Sequence, residues 1–145
     1  MKFKSILVAF LVTALAVTSC QKDSTPPPPD TPKYPVEGLW IGTYTVDNNP
    51  SQSGVYNYSY SVYPDRSILV KGTGADGNTY FSTGQWTLSN ANEFSATFTS
   101  MNFLGAQVTQ AITANFSDSG KMTGGVWTDI ENASQTGKFS LNRVN

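Results

Sequence analysis

Val55-Tyr56-Asn57-Tyr58-Ser59-Tyr60-Ser61-Val62-Tyr63 runs for nine residues without a glycine or proline to interrupt it. Successive side chains of an extended strand point to opposite faces. Tyr56, Tyr58, Tyr60 and Val62 therefore share one face, and the polar Asn57, Ser59 and Ser61 share the other. This is the pattern of a strand with one face turned to a core. A slip of one residue would exchange the faces, so the same register decides whether the tyrosines line an interior or an outer surface.

The pattern repeats on both sides. Pro64-Asp65-Arg66 makes a tight turn into a run from Ser67 to Gly72. Ala75-Asp76-Gly77-Asn78 turns into Thr79 to Leu88, and Asn90-Ala91-Asn92 turns into Glu93 to Ser100. Ala106 to Phe116 follows, with Val108, Ile112, Ala114 and Phe116 on one face. Ser117-Asp118-Ser119-Gly120 turns into Lys121 to Thr128, and Ser134 to Arg143 is the last run, with Phe139 and Leu141 facing inward. Upstream, Gly38 to Val46 precedes Asp47-Asn48-Asn49-Pro50. Eight period-2 runs joined by turn residues predict an all-β domain. No segment carries a sustained 3.6-residue apolar stripe, so no core helix is expected.

Short connections make consecutive strands antiparallel neighbours. About eight of them in an up-and-down meander can close into a β-barrel, which removes exposed edges. A two-sheet sandwich of the same strands is the alternative. Each of the three tryptophans follows a glycine by two residues: Gly38-Leu39-Trp40, Gly84-Gln85-Trp86 and Gly125-Val126-Trp127. A glycine on the same face leaves room for an indole or lets the strand coil sharply. Gly38-Leu39-Trp40 at the head of the first strand resembles the Gly-x-Trp signature of lipocalins and the similar opening of avidins. That resemblance implies an eight-stranded barrel that binds a small ligand inside. The lipocalin disulfide and helix are absent. Gly124-Gly125 breaks the alternation between Met122 and Trp127, and a bulge there would bring the apolar side chains on both sides of it inward.

Ahead of this domain, residues 1–19 read as a signal peptide. Lys2 and Lys4 precede an uncharged run from Ile6 to Val17 that is too short to span a bilayer, and Ser19 is the small residue before the cut. Val17-Thr18-Ser19-Cys20 resembles the lipobox of bacterial lipoproteins. The resemblance implies that Cys20, the single cysteine, is acylated and becomes the new N-terminus, anchoring the chain to a membrane. Gln21, where aspartate would favour the inner membrane, implies the outer membrane, on its periplasmic face or at the cell surface. Residues 20–35 hold six of the eight prolines and read as an extended, disordered tether. Residues 36–145 form the single folded domain.

Val36 to Asn145 carries eight acids and five basic side chains, a net of −3, with no basic run. Nucleic acid is therefore not an expected partner. The chain has no histidine, and no phosphate loop or nucleophile elbow appears. Asp129 and Glu131 could hold a calcium ion weakly, but the EF-hand spacing is absent and a solvated loop accounts for them better. No catalytic residue, cofactor or metal is expected, and the domain reads as a binding module rather than an enzyme. If it takes a small or glycan ligand, Tyr56, Tyr58 and Tyr60 are the candidate platform, with Trp40 as a further candidate and Tyr44, Tyr63 and Tyr80 nearby. Core packing is the competing role for each. The alternative function is a structural subunit with a packed barrel that docks onto an outer-membrane complex.

Overall fold

The structure, a computed structural model, describes residues 34–101 and 106–144. The leader, Cys20 and the proline-rich segment as far as Lys33 lie outside the described residues. Eight strands follow in order: β1 (Gly38–Thr45), β2 (Val55–Val62), β3 (Ser67–Thr73), β4 (Thr79–Leu88), β5 (Glu93–Met101), β6 (Gln107–Ser117), β7 (Lys121–Asp129) and β8 (Thr136–Arg143). Each pairs antiparallel with the next, and β8 returns to pair with β1, so the meander is a closed barrel rather than a sandwich. A single 3-10 turn, Pro50–Gln52, sits between β1 and β2, capped by the Asn49 side chain on the Ser51 amide.

The tyrosine row faces inward. Tyr58, Tyr60 and Val62 are buried, and Tyr56 is half-buried at the start of β2. Register explains the company they keep: Trp40 lies opposite Tyr60 and Tyr44 opposite Tyr56 across β1 and β2. Tyr60 sits at mid-barrel with ring centroids of Phe139, Phe98 and Phe94 at 5.6, 6.3 and 6.5 Å. Aromatic pairs at these separations gain beyond their buried area. The middle of the barrel is thus filled by side chains.

The break at Gly124-Gly125 is a bulge. Pairing of β7 with β8 runs Met122 to Leu141 and then Gly125 to Phe139, which inserts one extra residue in β7. Gly124 takes a left-handed φ of 62°, which glycine adopts without a Cβ penalty. The insertion restores phase, so Met122 and Trp127 both point inward while Val126 is left outside. The glycine of Gly84-Gln85-Trp86 serves backbone approach instead. A Cβ on Gly84 would lie 1.9 Å from the Thr97 carbonyl oxygen, so β4 and β5 could not come as close with any other residue.

One end of the barrel is packed shut. Trp40 and Trp86 are buried there, and their indole N–H groups donate to the carbonyls of Val36 and Tyr63 at 2.8 and 2.9 Å. The Arg66 guanidinium lies 4.0 Å from the Tyr34 ring centroid and 4.4 Å from that of Trp86. Arg143, from β8, crosses toward Trp40 and donates to the carbonyls of Pro35 and Glu37. Tyr34 packs edge-on against Trp86. Tyr34 and Pro35, which proline content places in the tether, thus contact the barrel.

Candidate functional site

The other end is open. The connection carrying Pro50–Gln52, the turn from Gly74 to Asn78 and the connection after Asp129 gather around it. They surround a cavity of about 850 Å³. Its origin is visible in the inward positions of successive strands. Toward the closed end these are Ile68, Trp86, Phe94 and Phe116, all buried; toward the open end they are Gly72, Ser82 and Ser100. Small residues at one end of a barrel whose strands keep a constant spacing leave a void there.

The walls of the void are aromatic. Tyr44 from β1, Tyr58 from β2 and Trp127 from β7 line it. Tyr44 is the hub, with ring centroids of Tyr58, Tyr56 and Trp127 at 4.8, 5.3 and 6.3 Å. Both Tyr44 and Trp127 are pinned by their polar atoms. The Tyr44 hydroxyl donates to the Thr73 carbonyl at 3.0 Å, and the Trp127 indole N–H donates to the Thr45 carbonyl at 2.9 Å. Burial, followed by the neighbouring Tyr56, Asp76 and Tyr80, raises the Tyr44 phenol above its ordinary range. Burial does the same, more strongly, to Tyr58 and Tyr60.

Two carboxylates stand at the rim, Asp76 and Asp129. Asp76 accepts from the Tyr80 hydroxyl at 2.5 Å and from the Asn78 side chain at 2.8 Å, and these bonds hold its carboxyl below the usual range. Asp129 Oδ1 accepts from the amides of Glu131 and Asn132, each at 2.9 Å, which shapes the turn after β7. Glu131 reaches across to the Thr109 amide at 3.0 Å. These acids brace loops, and among the described residues no cluster of three metal-ligating side chains occurs. Gln110 and Gln135 add amides to the lining. Such a site can hold a ligand by ring stacking and a few directed polar contacts.

The candidate residues divide between the two ends. Tyr58 forms part of the wall, and Tyr56 backs Tyr44. Tyr60 lies deeper, fully buried, and its hydroxyl has no hydrogen-bond partner among the described residues. Trp40 is at the closed end with no exposed surface, so it belongs to the core and not to the cavity. Tyr63 is exposed at that same end, where its carbonyl receives the Trp86 indole. Tyr80 is at the rim with Asp76. Sequence reasoning passed over Trp127, Asp76, Gln110 and the small residues Gly72, Ser82 and Ser100. Only the last group left a signal, a loss of bulk along the inward face of three adjacent strands. In comparison with known proteins, no family model matches the chain and no curated protein is similar to it in sequence.

Proposed function

We propose that this chain is a non-catalytic binding module that takes a small or glycan ligand at the open end of its barrel. Acyl chains on Cys20 would hold it to the outer membrane. The observation that carries the reading is the asymmetry of the interior: a cavity of about 850 Å³ with aromatic walls at one end, and dense side-chain packing at the other. That volume falls among those of small-molecule sites, which range over about 300–1,000 Å³. Tyrosine and tryptophan faces suit the flat apolar side of a sugar or a similarly amphipathic body. Docking onto an envelope protein is the second reading, favoured by Leu39, Ile41 and Val144, which stand exposed at the seam of β1 and β8.

Screening the full chain on a glycan array and a small-molecule panel, read by tryptophan emission, tests the proposal. Binding should be lost in Tyr44→Ala, a half-buried position whose ring forms the hub of the wall. A folded wild type that binds nothing in either screen would overturn it in favour of docking. Anchoring is read separately: Cys20→Ala should abolish incorporation of a fatty-acid analogue.

A further inference from the structure

We infer that the ligand taken at the open end carries a nitrogen cation, such as an ammonium group, and that carboxylates and phosphates are rejected. This rests on the reading of the cavity as a ligand site and names the class of molecule it selects.

Charge is the first ground. The cavity lining holds two carboxylates, Asp76 and Asp129, and no lysine or arginine. The five bases of the barrel are all directed elsewhere. Arg66 and Arg143 are committed to the closed end. Lys121 opens β7 at that end, opposite Asn142. Lys71 and Lys138 are exposed on outward positions of β3 and β8. An anion entering the cavity would meet acidic side chains without a counter-charge, a repulsion felt most at low salt because Asp76 is exposed at the rim.

Donor capacity is the second ground. Three of the four aromatic polar groups in the lining already donate to the protein, the Tyr58 hydroxyl being the fourth. The Tyr44 hydroxyl bonds Thr73, the Trp127 N–H bonds Thr45, and the Tyr80 hydroxyl bonds Asp76. Beside the neutral polar side chains of Gln110, Gln135, Ser82 and Ser100, what the walls offer is ring surface. Aromatic faces carry a negative quadrupole and attract cations, and cages of them recognise quaternary ammonium groups. Tyr44, Tyr58 and Trp127 meet around one point of the wall, with Tyr44 within 6.3 Å of each of the other two. Asp76 lines the same cavity as Tyr44, three residues along the turn from the Thr73 carbonyl that the Tyr44 hydroxyl bonds, which sets a negative charge on the same side of the cavity as the rings. Rings and carboxylate together form a receptor for a cation rather than for a neutral or acidic group.

The test titrates the full chain at low salt with three molecules of one shape. They are choline, the dimethylbutanol in which carbon replaces its nitrogen, and the corresponding dimethylbutanoate. Trp127 is the one tryptophan on the cavity, so its emission reports occupancy. Choline should bind at least about tenfold more tightly than the alcohol, and the carboxylate should show no binding. Asp76→Asn and Asp129→Asn remove charge while keeping shape and an oxygen for the backbone amides of the turns, Asp76→Asn giving up only the side-chain bonds that Oδ2 accepts from Tyr80 and Asn78, and each should weaken choline several-fold with an unchanged circular dichroism spectrum. Alcohol or carboxylate binding as tight as choline overturns the inference, as does choline binding that neither variant affects. If choline fails while a neutral glycan binds at the same cavity, the cation is refuted and the binding module stands. If nothing binds in any screen, both fall together.

Discussion

Replacing Tyr60 by phenylalanine should make the barrel more stable. Tyr60 has no exposed surface, and its hydroxyl makes no well-formed hydrogen bond among the described residues, although the Tyr58 phenol lies beside it as a weak partner. An unsatisfied buried hydroxyl costs about 1–3 kcal/mol, the hydration it gave up on folding. Phenylalanine keeps the ring and hence its contacts with Tyr58, Phe139, Phe98 and Phe94. The missing oxygen leaves a gap that forfeits only a few dispersion contacts, each worth about 0.1–0.2 kcal/mol. The expected gain is therefore about 1–2 kcal/mol. For a domain near this size each kcal/mol raises Tm by about 4–8 °C. Urea melts of the full chain, with an unchanged m value, measure it. Tyr44→Phe is the internal comparison: it removes a made bond to Thr73 and should lose about 0.5–1.5 kcal/mol. The two variants should move in opposite directions. A loss of more than about 1 kcal/mol in Tyr60→Phe refutes the reasoning, since it would mean that the hydroxyl is paired, with the neighbouring Tyr58 phenol as its partner.

Trp40→Ala should cost about 3–5 kcal/mol as a large-to-small change in the packed end; a denaturant melt showing under about 1 kcal/mol would contradict its burial. The phenols give a pH signature. Burial lifts Tyr58 and Tyr60 above the ordinary tyrosine value of 10.0 in the folded state, so the fold favours their neutral forms. The stability they contribute is complete below that ordinary value and is lost as pH rises above it, because the unfolded chain then releases protons that the fold retains. In an alkaline titration followed by phenolate absorbance, fewer than the seven tyrosines should ionise before the barrel opens. Reversible ionisation of all seven in a folded protein would count against the packing described for Tyr60.

Most of the strands were legible because each shows the same face at every second residue, and their limits depend on local turn residues such as Pro64-Asp65 and Asp76-Gly77. Closure was legible only as the first of two alternatives, a barrel ahead of a sandwich, and the barrel is what forms. Whether eight antiparallel strands form a barrel or a sandwich is decided where β8 meets β1, and nothing local in either strand records that partner. The tyrosine row was read in correct register, yet it was offered as one platform. In the barrel a strand runs from one end to the other, so neighbours on the same face can have different fates. Tyr58 reaches the cavity, and Tyr60, two residues on, is sealed in the core. The bulge at Gly124-Gly125 makes the inward direction of Trp127 legible, but not its place on the cavity, which depends on the small residues of strands distant in sequence. Asp76 enters the site through a turn whose position over the cavity is a property of the whole barrel.

The seam between β1 and β8 has a kinetic consequence. Every other pairing joins strands adjacent in sequence and can form as a hairpin at low loop-closure cost. The seam joins the two ends of the domain, with Arg143 bonding a carbonyl 108 positions earlier. Such long-range pairing is slow to reach, since the entropy of the intervening chain must be lost before its contacts are gained. A chain that emerges from its N-terminus therefore keeps β1 as a bare edge, with Leu39 and Ile41 beside it, until β8 is available. Any C-terminal truncation that removes β8 makes that interval permanent, and it exposes an edge of the kind on which strands of other molecules add.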